Sequence, residues 1–214
     1  ALAWDQKKYI KTSYKNTTPY TESWFGDALK TENTGYLRHD LEKARALMAE
    51  YGKPVELQYI HSATSRGRAA GIIVQQLMKE IGVKVNPTPM DFSGIIKQMF
   101  SRQFDMTSWV LAGGYDVGPN TVAGLHSKSP WNVCRYSSEK VDNLLAQQRR
   151  STDPEAREKI LNTIVQTVNS DSPFIYLAGI RFYMFARNYV KNVKPLTPGK
   201  QGFSGEQFNL WLDK

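Results

Sequence analysis

The chain has 214 residues, 41% hydrophobic and 22% charged, and its 28 Lys and Arg exceed its 20 Asp and Glu to give a net charge of +8. That length holds one large domain or a domain with an appendage, and no apolar run reaches the roughly 18 residues of a membrane span. Cys134 is the single cysteine, which excludes a disulfide framework and a paired-cysteine metal site.

The basic residues are dispersed, at Lys7-Lys8, Arg149-Arg150 and Lys191/Lys194 for example. They read first as solvated surface and second as a preference for an anionic ligand or a membrane surface. The opening Ala1 to Lys8 has no leading methionine and no basic n-region, the pattern expected of a chain entered partway.

In chain order, Leu2 to Tyr9 is expected to form a short helix, and residues 12–35 an irregular segment rich in Thr, Asn, Ser, Gly and Pro. Asp40 is a helix N-cap, followed by Leu41, Ala44, Leu47, Met48 and Tyr51 on one face and a stop at Gly52. Val55 to Ile60 alternates with period two and reads as a strand. Ser65 is expected to cap the next helix, with the stripe Ala70, Ile73, Val74, Leu77 and Ile81 and a left-handed stop at Gly82.

Val83 to Asn86 is a second strand, with Pro87 and Pro89 limiting its later ladder bonds. Asp91 or Ser93 caps a helix carrying Ile95, Ile96, Met99 and Phe100, and Phe104 to Val110 is a third strand. Helices follow over Ser138 to Arg150 and from Asp153-Pro154 to the break at Asp171-Ser172-Pro173. Phe174–Ala178 and Phe182–Ala186 are strand-like, and the tail from Lys194 is loop-rich.

Strand, helix, strand, helix, strand with short connections is the pattern of an α/β fold with a parallel sheet. Ligands of such sheets bind beyond the carboxyl ends of the strands. Those ends are the loops His61 to Arg68, Pro89 to Ser93 and Leu111 to Pro119.

The candidate ligand-binding residues follow from this placement. Trp109 offers a flat surface where a ligand meets the sheet, or else a core anchor. Gly113 and Gly114, with Tyr115 and Asp116, let a ligand approach backbone amides, or else form a plain turn. His61 and Arg66 lie in a polar loop before a helix N-terminus, suited to a carboxylate, or else to ordinary capping. Trp131 and Arg135 are candidate pocket walls.

No cofactor motif is present, and His39, His61 and His126 lack metal-ligand spacing. Two alternative functions use other residues. Cys134 with His126 and Asp116 would serve a hydrolase-like enzyme. The basic balance and eleven tyrosines would serve a nucleic-acid-binding domain, although no basic stripe or known module appears.

Several stretches, taken together, resemble the C-terminal half of the extracellular solute-binding proteins that deliver peptides, nickel and similar solutes to ATP-driven importers. They are Asp40–Gly52, Gln75–Val85, Phe104-Asp105 with Trp109 and Asp116, Tyr136 with Val141-Asp142 and Leu144-Leu145, and Asp153–Arg157 with Asp171-Ser172-Pro173. The resemblance runs from about residue 36 to 190 and implies a binding module, not an enzyme.

It also implies one lobe of a two-lobed (type II) periplasmic-binding fold, with residues 1–172 as the C-terminal lobe and 173–214 returning to the other lobe. The expected partners are a peptide or peptide-like solute, the permease subunits of the importer and an N-terminal lobe of the same chain, with no nucleic acid. The expected location is periplasmic or extracellular, with tethering to the membrane surface as an open alternative. Relatives often place an aspartate three residues after the tryptophan to hold a ligand ammonium. Ala112 stands there in this chain, and Asp116 matches the aspartate of the family's D-P pair.

Overall fold

A computed structural model of the chain describes residues 1–25, 29, 31–109, 117–179, 185–193 and 211–213. Helix α1 (Gln6–Tyr14) begins later than its sequence suggests, because Asp5 caps it by accepting from the Lys8 amide. Trp4, just before the cap, packs on Tyr9 with ring centroids 4.8 Å apart. This staple holds the first residues in the core instead of in a helix.

Helix α2 (Leu41–Tyr51) starts at the Asp40 cap and ends at Gly52 with φ 67°, as its sequence implies. Strand β1 (Val55–Ser62), helix α3 (Ser65–Lys79), strand β2 (Val83–Met90), helix α4 (Phe92–Ser101) and strand β3 (Met106–Thr107) follow. The sheet order is β2-β1-β3 and both pairings are parallel.

Pairing of β2 continues through Pro87 and Pro89 to Met90. The two prolines lie two residues apart, so their missing N–H groups fall on one side of the strand. That side is the outer edge, where no ladder bond is lost. Strand β3 is much shorter than Phe104 to Val110, because the Asp105 carboxylate takes the Gln58 amide of β1 at 2.7 Å, where a backbone carbonyl would otherwise accept.

Alternation along β1 divides the core. Tyr59 and His61 point with Val83 and Val85 toward α3, while Ile60 turns to the opposite face, where α4 packs and buries Ile95 and Met99. Leu77, Val74 and Ala70 of α3 and Ala44 of α2 complete the sheet-side core.

Helix α5 (Val117–Leu125), helix α6 (Glu139–Arg150) and helix α7 (Pro154–Asp171) build a second core around Leu125, Val141, Leu145, Ile164 and Val168. Ser138 and Asp153 cap α6 and α7. Helix α5 is unexpected, since Gly118, Pro119 and Gly124 disfavour it locally. Packing supplies what propensity lacks: Leu125 and Thr121 are fully buried, and Gly124 seats the Trp24 ring so closely that a Cβ there would fall 2.3 Å from Cζ2.

Phe174 to Ala178 forms no strand. It is a strap between the two cores, with Phe174 packed on the helical one and Ile175, Leu177 and Ala178 on the sheet-side one. Buried Gln6 ties the strap down, donating to the carbonyls of Thr21 and Tyr176 and accepting from the Thr21 amide. Residues 174–178 are therefore held against both cores. Much of the second strand-like run, Phe182–Ala186, lies outside the described residues. Strand β4 (Val190–Lys191) pairs antiparallel with β5 (Trp211–Leu212).

Candidate functional site at the carboxyl edge of the sheet

The turn from β1 into α3 is built by short side chains. Thr64, not Ser65, caps α3: its hydroxyl accepts from the Gly67 amide at 3.1 Å. The Ser62 hydroxyl accepts from the Thr64 amide at 3.3 Å, and Arg68 Nε donates to the Ala63 carbonyl at 3.1 Å. Arg66 is exposed, with its guanidinium 5.2 Å from the Tyr14 ring centroid. The next connection brings α4 to the same edge under the Asp91 cap.

Two aromatic rings meet there. Trp109, two residues beyond β3, stacks on Phe92, the first residue of α4, with centroids 5.8 Å apart and planes at 27°. Trp109 is 43% exposed and Phe92 69%, so the pair is a surface platform and not a core anchor. Phe92 was not among the residues singled out by sequence. The available signal was an aromatic directly after a helix cap, displaced from the buried stripe of Ile95 and Met99.

The other candidates divide. Gly113, Gly114, Tyr115 and Asp116, with Ala112, lie outside the described residues. His61 is corrected: it is in β1, not in the loop, and is 3% exposed. Its ring packs on Tyr59 and under α3, where Gly71 leaves room for it. It is a helix-seating residue. Trp131 and Arg135 are exposed in the loop before α6. Trp131 meets Phe100 at the C-terminal end of α4, about 12 Å along that helix from Phe92, away from the carboxyl edge.

Cys134 is at the surface, but the protein around it still desolvates the thiol and pushes its pKa up. A nucleophilic cysteine needs the opposite shift. His126 Nδ1 accepts from the Lys128 amide at 3.1 Å and sits 3.8 Å from Asp142. Among the described residues no cluster of three His, Cys, Asp or Glu could hold a metal ion.

A separate polar hollow of about 380 Å³ is lined by Leu2, Glu22, Thr34, Tyr36, Arg38 and Lys43. Partial burial raises the Glu22 pKa, but hydrogen bonds from Arg38, Thr34 and Tyr20 outweigh it and hold the carboxyl below its ordinary value. A depressed pKa contributes stability above the unfolded value, and that contribution is lost as pH falls through the folded one. Glu22→Gln is therefore expected to flatten the loss of stability below about pH 4.5 while leaving the higher-pH plateau slopes unchanged. Urea melts across pH 2 to 7 would show it, and parallel acid limbs would contradict it.

The family described as bacterial extracellular solute-binding proteins, family 5 Middle, matches residues 1–133. The chain belongs to this family. It is 24% identical over 109 residues to the oligopeptide-binding protein AppA of Bacillus subtilis, a match covering 50% of the chain and 20% of AppA.

Among solved structures, AppA from Bacillus subtilis in complex with a nonapeptide superposes with a TM-score of 0.79 at 18% identity, covering 100% of this chain and 46% of AppA. The periplasmic binding protein DppA from Helicobacter pylori in complex with the peptide STSA gives 0.78 at 20% identity, covering 100% of this chain and 43% of DppA. This family-5 chain thus spans less than half the length of these relatives. It shares their α/β fold, with a parallel sheet and flanking helices. Family membership favours the solute-binding reading over the hydrolase and nucleic-acid ones. No helix among the described residues is long and apolar enough to cross a membrane.

Proposed function

We propose that this chain is the C-terminal lobe of a receptor for an ATP-driven importer, and that it holds a peptide or peptide-like solute against the Phe92–Trp109 platform. The stacked, solvent-facing pair at the carboxyl edge of a parallel sheet is the observation that carries this reading. Two large aromatic faces are left uncovered there, as expected of one wall of a cleft whose other wall lies elsewhere in the protein. The relatives in complex with a nonapeptide and with STSA support the peptide class.

Residues 1–172 form the lobe in this reading, and the chain from Pro173 first straps it and then returns toward the second lobe. Arg66, Gly113, Gly114, Tyr115 and Asp116 are the further ligand contacts of this reading. The receptor works in the periplasm or at the outer cell surface and hands its solute to the permease subunits. Solute contacts shared by both lobes favour the closed form, by no more than their differential affinity for it. Binding and closure need no covalent chemistry.

Titration of the intact receptor with a peptide library, followed by native mass spectrometry, tests the reading. Trp109→Ala is expected to weaken the best peptide about tenfold, the loss of one aromatic stacking contact. Unchanged affinity in this variant, or no peptide bound by the unmutated receptor, would remove the proposal.

A further inference from the structure

A second aromatic pair lies at the other end of α4. Phe100 is 42% exposed and Trp131 is 61% exposed, and their rings meet edge to face with centroids 5.0 Å apart at 77°. Both rings therefore keep a large part of their area in solvent.

In the two segments that carry the pair, charge has one sign. From Phe92 to Phe104, and from Val117 to Ser138, the sequence contains no Asp or Glu. These segments carry Lys97, Arg102, Lys128 and Arg135, all exposed. Lys97 is one turn before Phe100 on the helix, Arg102 caps its end, and Lys128 and Arg135 flank Trp131 in the loop before α6. Arg102 and Arg135 occupy left-handed positions, φ 59° and 57°, where glycine would be unstrained.

Asp105 takes the Gln58 amide, and Asp142 takes the hydroxyl and amide of Ser127. Asp142 faces both His126 and Lys128, and Glu139 is exposed in the first turn of α6.

We propose that this patch docks on an anionic lipid surface, with Trp131 and Phe100 in the headgroup layer and the four cations against lipid phosphates. Exposed Trp and Phe with Lys and Arg in the same segments have the chemistry of that layer, which accepts convex groups without a matching groove. An acidic protein surface would use the same charges but would have to supply a cavity for the two rings.

The test is co-sedimentation of the purified chain with sucrose-loaded vesicles of phosphatidylcholine alone or mixed with phosphatidylglycerol. Binding is expected on the mixed vesicles only, and is expected to fall as salt is raised. Arg135→Gln should lower partitioning about fivefold. Trp131→Ser should lower it further, while Trp109→Ser, the same change at the other end of α4, should leave it as in the unmutated chain. No sedimentation, equal binding to pure phosphatidylcholine, or indifference to Trp131→Ser would overturn the proposal. Capture on polyglutamate beads without vesicle binding would also overturn it and assign the patch to an acidic protein.

Discussion

Gly67→Ala is expected to destabilise the chain by about 3 kcal/mol, the upper range for forcing atoms into a filled site. A Cβ at this position would sit 2.0 Å from the Ser62 carbonyl oxygen and 2.8 Å from its carbon. Both are backbone atoms at the end of the central strand, so no side-chain rotation relieves the clash. The Gly67 amide is also the one that Thr64 caps, and moving it would unmake the cap at the start of α3.

Gly71→Ala provides the internal comparison. Its Cβ would meet His61 Nε2 at 2.6 Å, a side-chain atom that can shift at lower cost. Urea denaturation should rank Gly67→Ala well below Gly71→Ala in stability. Equal midpoints, or a Gly67→Ala loss under about 1 kcal/mol, would mean that the turn yields more easily than this geometry implies.

Asn169→Asp is expected to cost about 3 to 4 kcal/mol at neutral pH. Asn169 is 2% exposed, and its Nδ2 donates to the carbonyls of Glu22 and Thr34, each at 2.8 Å. Its Oδ1 accepts from the Tyr176 hydroxyl at 3.0 Å. One amide thus joins α7, the irregular early segment and the strap. A carboxylate keeps the bond from Tyr176 but sets negative oxygen against two carbonyl oxygens.

Burial and those two carbonyls would raise the pKa of the new carboxyl in the folded state above its unfolded value. Stability relative to the unmutated chain should then recover as pH falls through the folded pKa, because the protonated acid can donate one bond. Thermal melts of the variant at several pH values would show the recovery. A deficit constant with pH would indicate lost packing and not the charge.

Much of the fold was legible because it rests on local chemistry. Asp40, Asp91, Ser138 and Asp153 each accept from amides of a first helical turn, a bond that needs only a few residues. The alternation of β1 and the stripe of α3 announced which faces are buried, and short connections between alternating elements implied the parallel order. Trp109 was placed at the ligand edge on the same logic, two residues beyond a strand that enters the sheet there.

Other features depend on contacts distant in sequence. Helix α5 forms although its glycines and proline oppose it, because Trp24, about a hundred residues earlier, fills the space beside Gly124. The third strand is cut short by a side chain, the Asp105 carboxylate, standing in for ladder geometry. Phe174 to Ala178 has a strand's composition but forms no strand; Phe174 joins one core and Ile175, Leu177 and Ala178 join the other.

His61, Trp131 and Arg135 look alike as sequence: polar or aromatic residues near loops. Only tertiary packing separates them, putting His61 under α3 and Trp131 at the far end of α4, while Phe92 joins Trp109 across the ends of two strands. The sequence by itself determined the α/β order, the starts of α2, α4, α6 and α7 and the carboxyl edge of the sheet, since hydrogen-bond caps and periodic burial act within a few residues. The membership of that edge was decided only by the tertiary structure, because which rings stay in solvent depends on what the rest of the chain covers.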